Sequence, residues 1–242
     1  MKIIDAVWEE RNLGVTCAEI EIDKDDNQEQ IIGALRNRNE QYIVVKVASE
    51  NPKAMFTVQS EGFVFVENLI QIELDLQDGP YVPKICRKLI KNTGFHRASS
   101  TETAQVLDEI KAGVIFATDR ISIDPYFSRK KAGERYAYWI EDILSSGNSE
   151  LIITEYLEEN IGFLVIQHKD EYSSPVLNGL FKEFLGSGLG FVNSYCSQKY
   201  LIEKGVKRSV SHISTNNTDI FKMSLLFNNS FTEVQSVFIK HQ

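Results

Sequence analysis

Apolar runs and amphipathic stretches alternate along the chain. The segment "QYIVVKVA" at 41–48 is apolar and β-branched, which predicts a buried strand. The segment "NQEQIIGALRNRN" before it predicts a short helix, and "NPKAMFTVQSEGFVFVENLIQIEL" after it predicts a helix, a turn at Gly62 and a strand. Further along, "ELIITEYL", "NIGFLVIQH" and "PVLNGLF" predict three successive strands. This alternation of strands and helices predicts an α/β protein.

Polar residues and glycines mark the helix boundaries. The segment "SRKKAGERYAYWIEDILSSG" predicts a helix that Ser128 caps and Gly147 ends, and Ser100 or Thr101 is predicted to cap the helix "SSTETAQVLDEI". The segment "FVNSYCSQKYLIEKG" predicts a helix that ends at Gly205. The chain closes with a predicted strand "KRSVSHIS", helix "NTDIFKMSLLF" and strand "EVQSVFIK". Two helices have a predicted apolar face, formed in one by Tyr136, Trp139, Ile140, Ile143 and Leu144 and in the other by Phe191, Val192, Tyr195 and Ile202.

Two stretches of the chain repeat the order strand, asparagine, helix, turn and strand. Setting Asn51 against Asn217, an offset of 166 residues (217 − 51), brings Gly62 onto Asn228. Residue identity across the pair is low, so a chance match of patterns is the alternative. A true repeat predicts two related α/β halves joined within residues 95–118.

Charge and composition narrow the class of protein. The chain has 242 residues and a formal net charge of −8, which disfavours nucleic acid or an anionic membrane as a partner. Its three cysteines are widely separated and predict no disulfide framework, and the histidine and cysteine spacings predict no metal site. No apolar run approaches the roughly 18 residues of a membrane span, and the first residues do not resemble a signal peptide. A soluble cytoplasmic protein is therefore expected.

A glycine-rich loop is the strongest candidate for a binding site. In "FKEFLGSGLG" at 181–190, Gly186, Gly188 and Gly190 alternate between a predicted strand and a predicted helix. Backbone N–H groups at such a helix N-terminus bind anions without any lysine, while a plain tight turn is the alternative. No lysine follows Gly190, which excludes a P-loop, and Phe191 stands where the dinucleotide fingerprint requires its third glycine.

The stretch "FLGSGLG", followed by a helix, a strand and Asn217 before another helix, resembles the acetyl-CoA motif of the GCN5-related N-acetyltransferases. Phe184 and the three glycines match that motif, whereas Leu185 stands where the family usually has arginine or glutamine. The segments "WEERNLG", "GFVFVE", "FATDRISIDPYFS" and "RYAYWIED" are similar to the dTDP-fucosamine acetyltransferases and their relatives. That resemblance implies a mixed-sheet fold with a truncated acetyltransferase-like domain at 1–112 and a full acetyltransferase domain at 113–242.

The resemblance implies direct transfer of an acetyl group from acetyl-CoA, as co-substrate, to an amine, with no metal. It implies that strand "LNGLFKE" splays from its neighbour and receives the pantetheine arm, and that an N–H near Leu180 or Phe181 polarises the thioester carbonyl. Glu67 matches a family glutamate and would accept the ammonium proton through water. The position of the family's tyrosine acid falls on Ser224, so that water or Tyr195 is the alternative proton donor to the thiolate. The implied cofactor-binding residues are Leu180, Phe181, Lys182, Leu185, Gly186, Ser187, Gly188, Leu189, Gly190, Asn217 and Phe221, and the implied phosphate contact of the acceptor is Arg120.

Alternatives stay open for single residues and for the whole chain. Glu67 also suits a solvated strand-end acid, Asn217 a helix cap and Phe221 plain core. Arg120 also suits a surface arginine. The acceptor that the resemblance implies is an amino-deoxy sugar nucleotide, and another amine, such as a polyamine, an antibiotic or a protein N-terminus, is the alternative. A non-catalytic acyl-CoA-binding or scaffolding protein is a further alternative, and both a monomer and a homodimer fit the sequence.

Overall fold

The computed structural model describes residues 1–169 and 172–242. The strands in this part of the chain are β1 (Lys2–Asp5), β2 (Cys17–Ile22), β3 (Tyr42–Ala48), β4 (Val64–Asp75), β5 (Thr93–Arg97), β6 (Ser149–Tyr156), β7 (Glu159–His168), β8 (Ser173–Leu180), β9 (Arg208–Ser214) and β10 (Ser230–His241). The helices are α1 (Trp8–Leu13), α2 (Gln28–Arg36), α3 (Pro52–Ser60), α4 (Ser100–Lys111), α5 (Arg120–Ile123), α6 (Arg129–Ser145), α7 (Gly190–Glu203) and α8 (Thr218–Leu226). Short 3₁₀ turns cover Lys84–Cys86, Leu89–Asn92 and Lys182–Phe184.

The strands form a mixed sheet in the order β1-β2-β3-β10-β4-β9-β8-β7-β6-β5, which confirms the predicted α/β fold. β2 is parallel to β3 and β8 to β9, whereas β10 is antiparallel to β3. The described residues divide into two compact units. Unit 1 comprises Met1–Gln71, Ile213–Asn217 and Thr232–Gln242, and unit 2 comprises Ile72–His212 and Thr218–Phe231. The predicted domain division between residues 112 and 113 stays a prediction.

The internal repeat is present at the level of single hydrogen bonds. Shifted by 166 residues (217 − 51), the bounds of β3, α3 and β4 coincide with those of β9, α8 and β10. The turn after the first strand is closed by Asn51 N–H donating to Ala48 O at 2.9 Å, and its counterpart by Asn217 N–H donating to Ser214 O at 3.1 Å. Past the helix, Gly62 and Asn228 both have a positive φ, of 85° and 59°. The predicted repeat is therefore confirmed as a repeat of backbone structure.

Each unit has its own apolar core. In unit 1, strand residues such as Ile20 and Val45 pack against Ile31 of α2 and Val58 of α3. In unit 2, alternate residues of β7 face opposite sides, so that Phe163 joins the core with α4 and α6. The next residue along, Leu164, belongs to the cluster that contains Tyr200 and Leu201 of α7. Within the described residues, no helix combines the length and the apolarity needed to cross a membrane.

The buried face of α7 differs from the predicted one. Of the four residues predicted to form it, only Val192 is fully buried. Val192, Cys196 and Tyr200, spaced four residues apart, face the sheet instead. Phe191 packs its ring against Phe227, with 5.9 Å between the centroids. The prediction placed the aromatic residues Phe191 and Tyr195 on the buried face, whereas both are only half-buried in the fold.

The caps of α4 and α6 test the predicted helix boundaries. Ser128 caps α6, as predicted, by accepting a hydrogen bond from Lys131 N–H at 3.1 Å. The cap predicted for α4 at Ser100 or Thr101 is wrong, because Ser99 holds that position. Its hydroxyl accepts from Glu102 N–H and the Glu102 carboxylate accepts from Ser99 N–H, which forms a capping box.

His96 is held between two carboxylates of unit 2. Its Nδ1 lies 2.5 Å from Glu155 Oε1 and its Nε2 lies 2.8 Å from Glu102 Oε1. The hydrogen bond to Glu102 raises the pKa of His96 above its ordinary value, and the bond to Glu155 adds to this against the opposing effect of burial. The hydrogen bonds from Ser99 lower the pKa of Glu102 to about 2, so this carboxylate stays charged in all but strong acid.

The stabilising effect of His96 is expected to depend on pH. Since the pKa is raised in the folded state, the contribution is fully present below the unfolded value of about 6.5 and is lost as pH rises through the folded value. We expect the Tm difference between the wild type and His96→Gln to be largest near about pH 5 and to shrink towards about pH 8. A Tm difference for His96→Gln that stays constant over this range contradicts the role of the ion pairs.

Candidate functional site

The strands β8 and β9 run parallel but pair at one position in the described residues. Ser173 is opposite Ser209, and the Ser211 hydroxyl donates to Pro175 O at 2.8 Å. By contrast, the corresponding pair in unit 1, β2 and β3, is in register over six residues, from Cys17 opposite Tyr42 to Ile22 opposite Val47. Unit 2 therefore has an interrupted parallel pair where unit 1 has a closed one.

A β-bulge in β8 accompanies this parting. In the ladder with β7, Val165 pairs with Leu177 and Ile166 with Pro175, which leaves Val176 as an extra residue. Such a bulge bends the strand and increases its twist. The bend gives a physical reason why β8 leaves β9 after Ser173 while it stays paired with β7.

The backbone of Leu180 faces the open edge of β8. Phe181 N–H donates to Ile161 O at 3.0 Å, so the amide of Phe181 points to β7. Because neighbouring residues of an antiparallel strand alternate in the direction of their N–H and C=O groups, those of Leu180 point away from β7. Of the two N–H groups predicted to polarise an acyl carbonyl, the geometry favours that of Leu180. The Lys182 amide is held by the Glu109 carboxylate at 3.3 Å.

The glycine loop connects the end of β8 with α7. Gly186 and Gly188 have φ angles of 75° and 81°, which L side chains rarely adopt, and no atom lies within 4 Å of an added Cβ at either position. The Ser187 hydroxyl fixes the loop by donating to Phe184 O at 2.6 Å and accepting from Leu189 N–H at 3.2 Å. The predicted loop thus forms an open backbone turn directly before a 14-residue helix.

The loop presents backbone donors to solvent. Among the described residues, no hydrogen-bond partner is found for the N–H groups of Gly186, Gly188 and Gly190. The first turn of a helix leaves such groups unsatisfied, and the helix dipole adds about half a positive charge at this end. The arrangement can bind an anion through its backbone alone. Leu185, 42% exposed, leaves the loop without a cation at that position.

An acidic cavity opens beside the loop. It has a volume of about 470 Å³. Its lining combines carboxylates and aromatic rings and consists of Gln105, Glu158, Glu159, Asn160, Phe181, Glu183 and Phe184. Three carboxylates in one cavity favour a cationic ligand and oppose an anionic one. Sequence reasoning missed this cavity, although the "LEEN" turn between β6 and β7 places two of the glutamates there.

The structure places the other predicted residues as follows. Ser224 is buried in α8, and its hydroxyl donates to Ile220 O at 2.9 Å within the helix. Phe221 packs against Phe231, with ring centroids 5.6 Å apart. Arg120 is half-buried at the start of α5. All of these lie in unit 2 with the glycine loop.

Two predicted residues belong to unit 1. Glu67 lies on β4 and is only 3% exposed, which does not fit a solvated strand-end acid. Asn217 directly precedes α8 and closes the turn after β9 through its own N–H. The roles predicted for Glu67, Asn217 and the residues of unit 2 stay predictions.

The thiol on α7 is unsuited to catalysis. Cys196 is fully buried on α7, and burial raises its pKa to about 12. A thiol with such a pKa is not a nucleophile near neutral pH. Within the described residues, no group of three histidine, cysteine, aspartate or glutamate side chains is arranged to hold a metal ion.

Comparison with known proteins shows the fold. No protein-family model matches the chain, and no curated protein matches it significantly. A functionally unknown conserved protein from Staphylococcus epidermidis is similar in structure, with a TM-score of 0.62, 14% identity and coverage of 94% of this chain and 85% of that one. A GCN5-related N-acetyltransferase from Kribbella flavida has a TM-score of 0.56 and 10% identity, with coverage of 93% and 81%. A tandem protein of the same class from the clavulanic acid biosynthesis pathway has a TM-score of 0.53 and 10% identity, with coverage of 87% and 67%.

At such low identity, these similarities establish fold alone. The chain has the fold of the GCN5-related N-acetyltransferases, as the glycine motif predicted. No comparison supports the dTDP-fucosamine acetyltransferases in particular.

Proposed function

We propose that this protein is an acetyl-CoA-dependent N-acetyltransferase that acts on the amino group of a small molecule. The observation that carries the proposal is the glycine loop at the end of β8, the strand that parts from its parallel neighbour. A parted pair offers unused backbone groups to the amide-rich pantetheine arm. The open space at Gly186 and Gly188, together with their N–H groups, fits a pyrophosphate.

The proposed reaction forms a C–N bond and breaks a C–S bond. The nitrogen lone pair of the amine attacks the acetyl carbonyl, and the Leu180 N–H stabilises the oxygen that becomes negative. The electron pair of the broken bond leaves with the CoA sulfur. The ammonium proton passes to water. A thiolate is a good leaving group near neutral pH, and the Ser224 hydroxyl donates within its own helix, so water is the proposed proton donor to the thiolate.

We assign the cofactor to unit 2 only. In unit 1 the segment before α2 is "DKDDN" at 23–27, with three aspartates in place of glycines. The side-chain nitrogen of Asn51, Nδ2, donates to two backbone carbonyls of this segment, Asp23 O at 3.0 Å and Asp26 O at 3.2 Å. Carboxylates repel phosphate, and the closed pair of β2 and β3 leaves no edge for a pantetheine arm. One CoA per chain is therefore expected.

Two acceptor classes are proposed, and different observations support them. The resemblance in sequence favours an amino-deoxy sugar nucleotide, with Arg120 as its phosphate contact. The cavity that contains Glu158, Glu159 and Glu183 favours an acceptor with more than one cationic amine, such as a polyamine. A sugar nucleotide carries a diphosphate, which those carboxylates would repel if it entered the same cavity.

The test measures CoA binding first and turnover second. Titration calorimetry with acetyl-CoA is expected to give one site per chain, and thiol release is then followed with a panel of amino sugar nucleotides, polyamines and aminoglycosides. Glu159→Gln is expected to reduce turnover of polyamines and not of sugar nucleotides. Lack of CoA binding at millimolar concentration contradicts the proposal. Binding without thiol release from any amine supports the non-catalytic alternative.

A further inference from the structure

Asn193 is a buried amide at the start of α7. Its side chain is 1% exposed and lies in the first turn after the glycine loop. The amide nitrogen donates to Asn178 Oδ1 at 2.8 Å and to Gly179 O at 3.1 Å, both on β8. The amide oxygen accepts from the Thr154 hydroxyl of β6 at 2.8 Å. One side chain thus joins the helix of the loop to two strands of the sheet.

A polar group at this position is costly unless all its partners are in place. Its neighbours on the buried stripe of α7 include Val192 and Cys196, and an apolar side chain would be the ordinary choice there. Burying an amide without its hydrogen bonds leaves a desolvation penalty that no other interaction offsets. Thr154, with no exposed surface, satisfies the third bond. The complete network fixes a distance and an orientation that apolar packing does not.

The network connects the two parts of the proposed cofactor site. Asn193 is three residues beyond Gly190, the last glycine of the loop. Its partner Gly179 directly precedes Leu180, whose N–H faces the open edge of β8. The Phe163 carbonyl of β7 lies 3.5 Å from the same amide nitrogen. The side chain of Asn193 thereby links the N–H groups proposed to bind the pyrophosphate with the Leu180 N–H proposed to polarise the thioester carbonyl.

We infer that Asn193 is a positioning residue that sets the location of the Leu180 N–H relative to the phosphate loop. This inference rests on the proposed function. The loop amides bind the pyrophosphate on their own, so Asn193 controls where the thioester carbonyl lies and not how tightly CoA binds. A shift of about 1 Å in a reacting group lowers the rate by up to about 10²-fold.

Asn193→Leu tests the inference, because leucine has a similar volume and makes no hydrogen bond. We expect kcat to fall between about 10- and 100-fold while the Kd for CoA changes by less than about threefold. Thr154→Val, which removes one bond at nearly constant shape, is expected to lower kcat by a smaller factor and serves if Asn193→Leu does not fold. Gln198→Leu is the matched control. Gln198 is also buried on α7, but its side chain accepts from Tyr81 N–H, away from β8.

The outcomes separate this inference from the proposed function. A kcat for Asn193→Leu and Thr154→Val equal to that of Gln198→Leu overturns the positioning role, even if all three lower Tm. A loss of CoA affinity that matches the loss of kcat also overturns it, because the loop itself would then be disordered. Absence of thiol release by the wild type overturns the proposed function, and the inference with it.

Discussion

Replacement of Gly188 by glutamate is expected to abolish the thermal stabilisation of the protein by CoA. The loop has open space at this position, so the side chain fits without a clash but enters the volume assigned to the pyrophosphate. A carboxylate there also repels the phosphates and competes for the N–H groups of the loop. A ligand present at 100 times its Kd stabilises a protein by about 2.7 kcal/mol, which for this chain length raises Tm by several degrees. We expect that shift for the wild type and none for Gly188→Glu.

Gly205→Glu provides a control with the same backbone strain and the same added charge. Gly205 has a φ of 76°, and no atom lies within 4 Å of an added Cβ, as at Gly188. It follows the C-terminal end of α7, at the other end of the helix from the loop. Both variants are expected to lose similar intrinsic stability, but only Gly205→Glu keeps the CoA-dependent rise in Tm. An undiminished rise in Gly188→Glu assigns the cofactor to another place.

The repeat shows which parts of the fold are determined by local sequence. The segment β3–α3–β4 was predictable, because a long apolar run is followed by a capping asparagine, an amphipathic helix and a glycine turn. β2 was not predicted, since Glu19 interrupts its apolar pattern. In the fold that glutamate is 7% exposed and pairs with Lys46 at 2.7 Å on the neighbouring strand. The compensation comes from a residue 27 positions away, which a local pattern does not contain.

The candidate site was predictable only where a backbone conformation requires one particular residue type. The glycine loop was found from sequence because residues at a positive φ between a strand and a helix are usually glycine. The parting of β8 from β9 came from the family resemblance and not from a local pattern of residues, whereas the corresponding strand β2 pairs fully with β3. Asn193 was missed because an asparagine in a helix is ordinarily exposed. Its burial depends on Thr154 and Gly179, which only the folded sheet brings to it.

Replacement of Gly133 by alanine is expected to destabilise the protein, although alanine is the better helix former. Gly133 lies in the first turns of α6, where an added Cβ would be 2.3 Å from Ile110 O and 2.8 Å from Gly113 N. Both atoms are backbone, so relief requires α4 and α6 to move apart. Overpacking of this kind costs about 1–3 kcal/mol, and more where backbone must move, against a gain of about 1 kcal/mol in helix propensity. We expect a net loss of about 2 kcal/mol, measured as a lower Tm and a lower denaturant midpoint.

Gly33→Ala is the matched substitution in α2, where no atom lies within 4 Å of an added Cβ. Only the propensity term acts there, so this variant is expected to gain about 0.5–1 kcal/mol. Opposite signs for the same chemical change identify close backbone contact as the cause. Equal effects of the two substitutions contradict the close crossing of α4 and α6. That crossing also explains Gly113, whose φ of 72° turns the chain away while an added Cβ would lie 2.2 Å from Arg129 O.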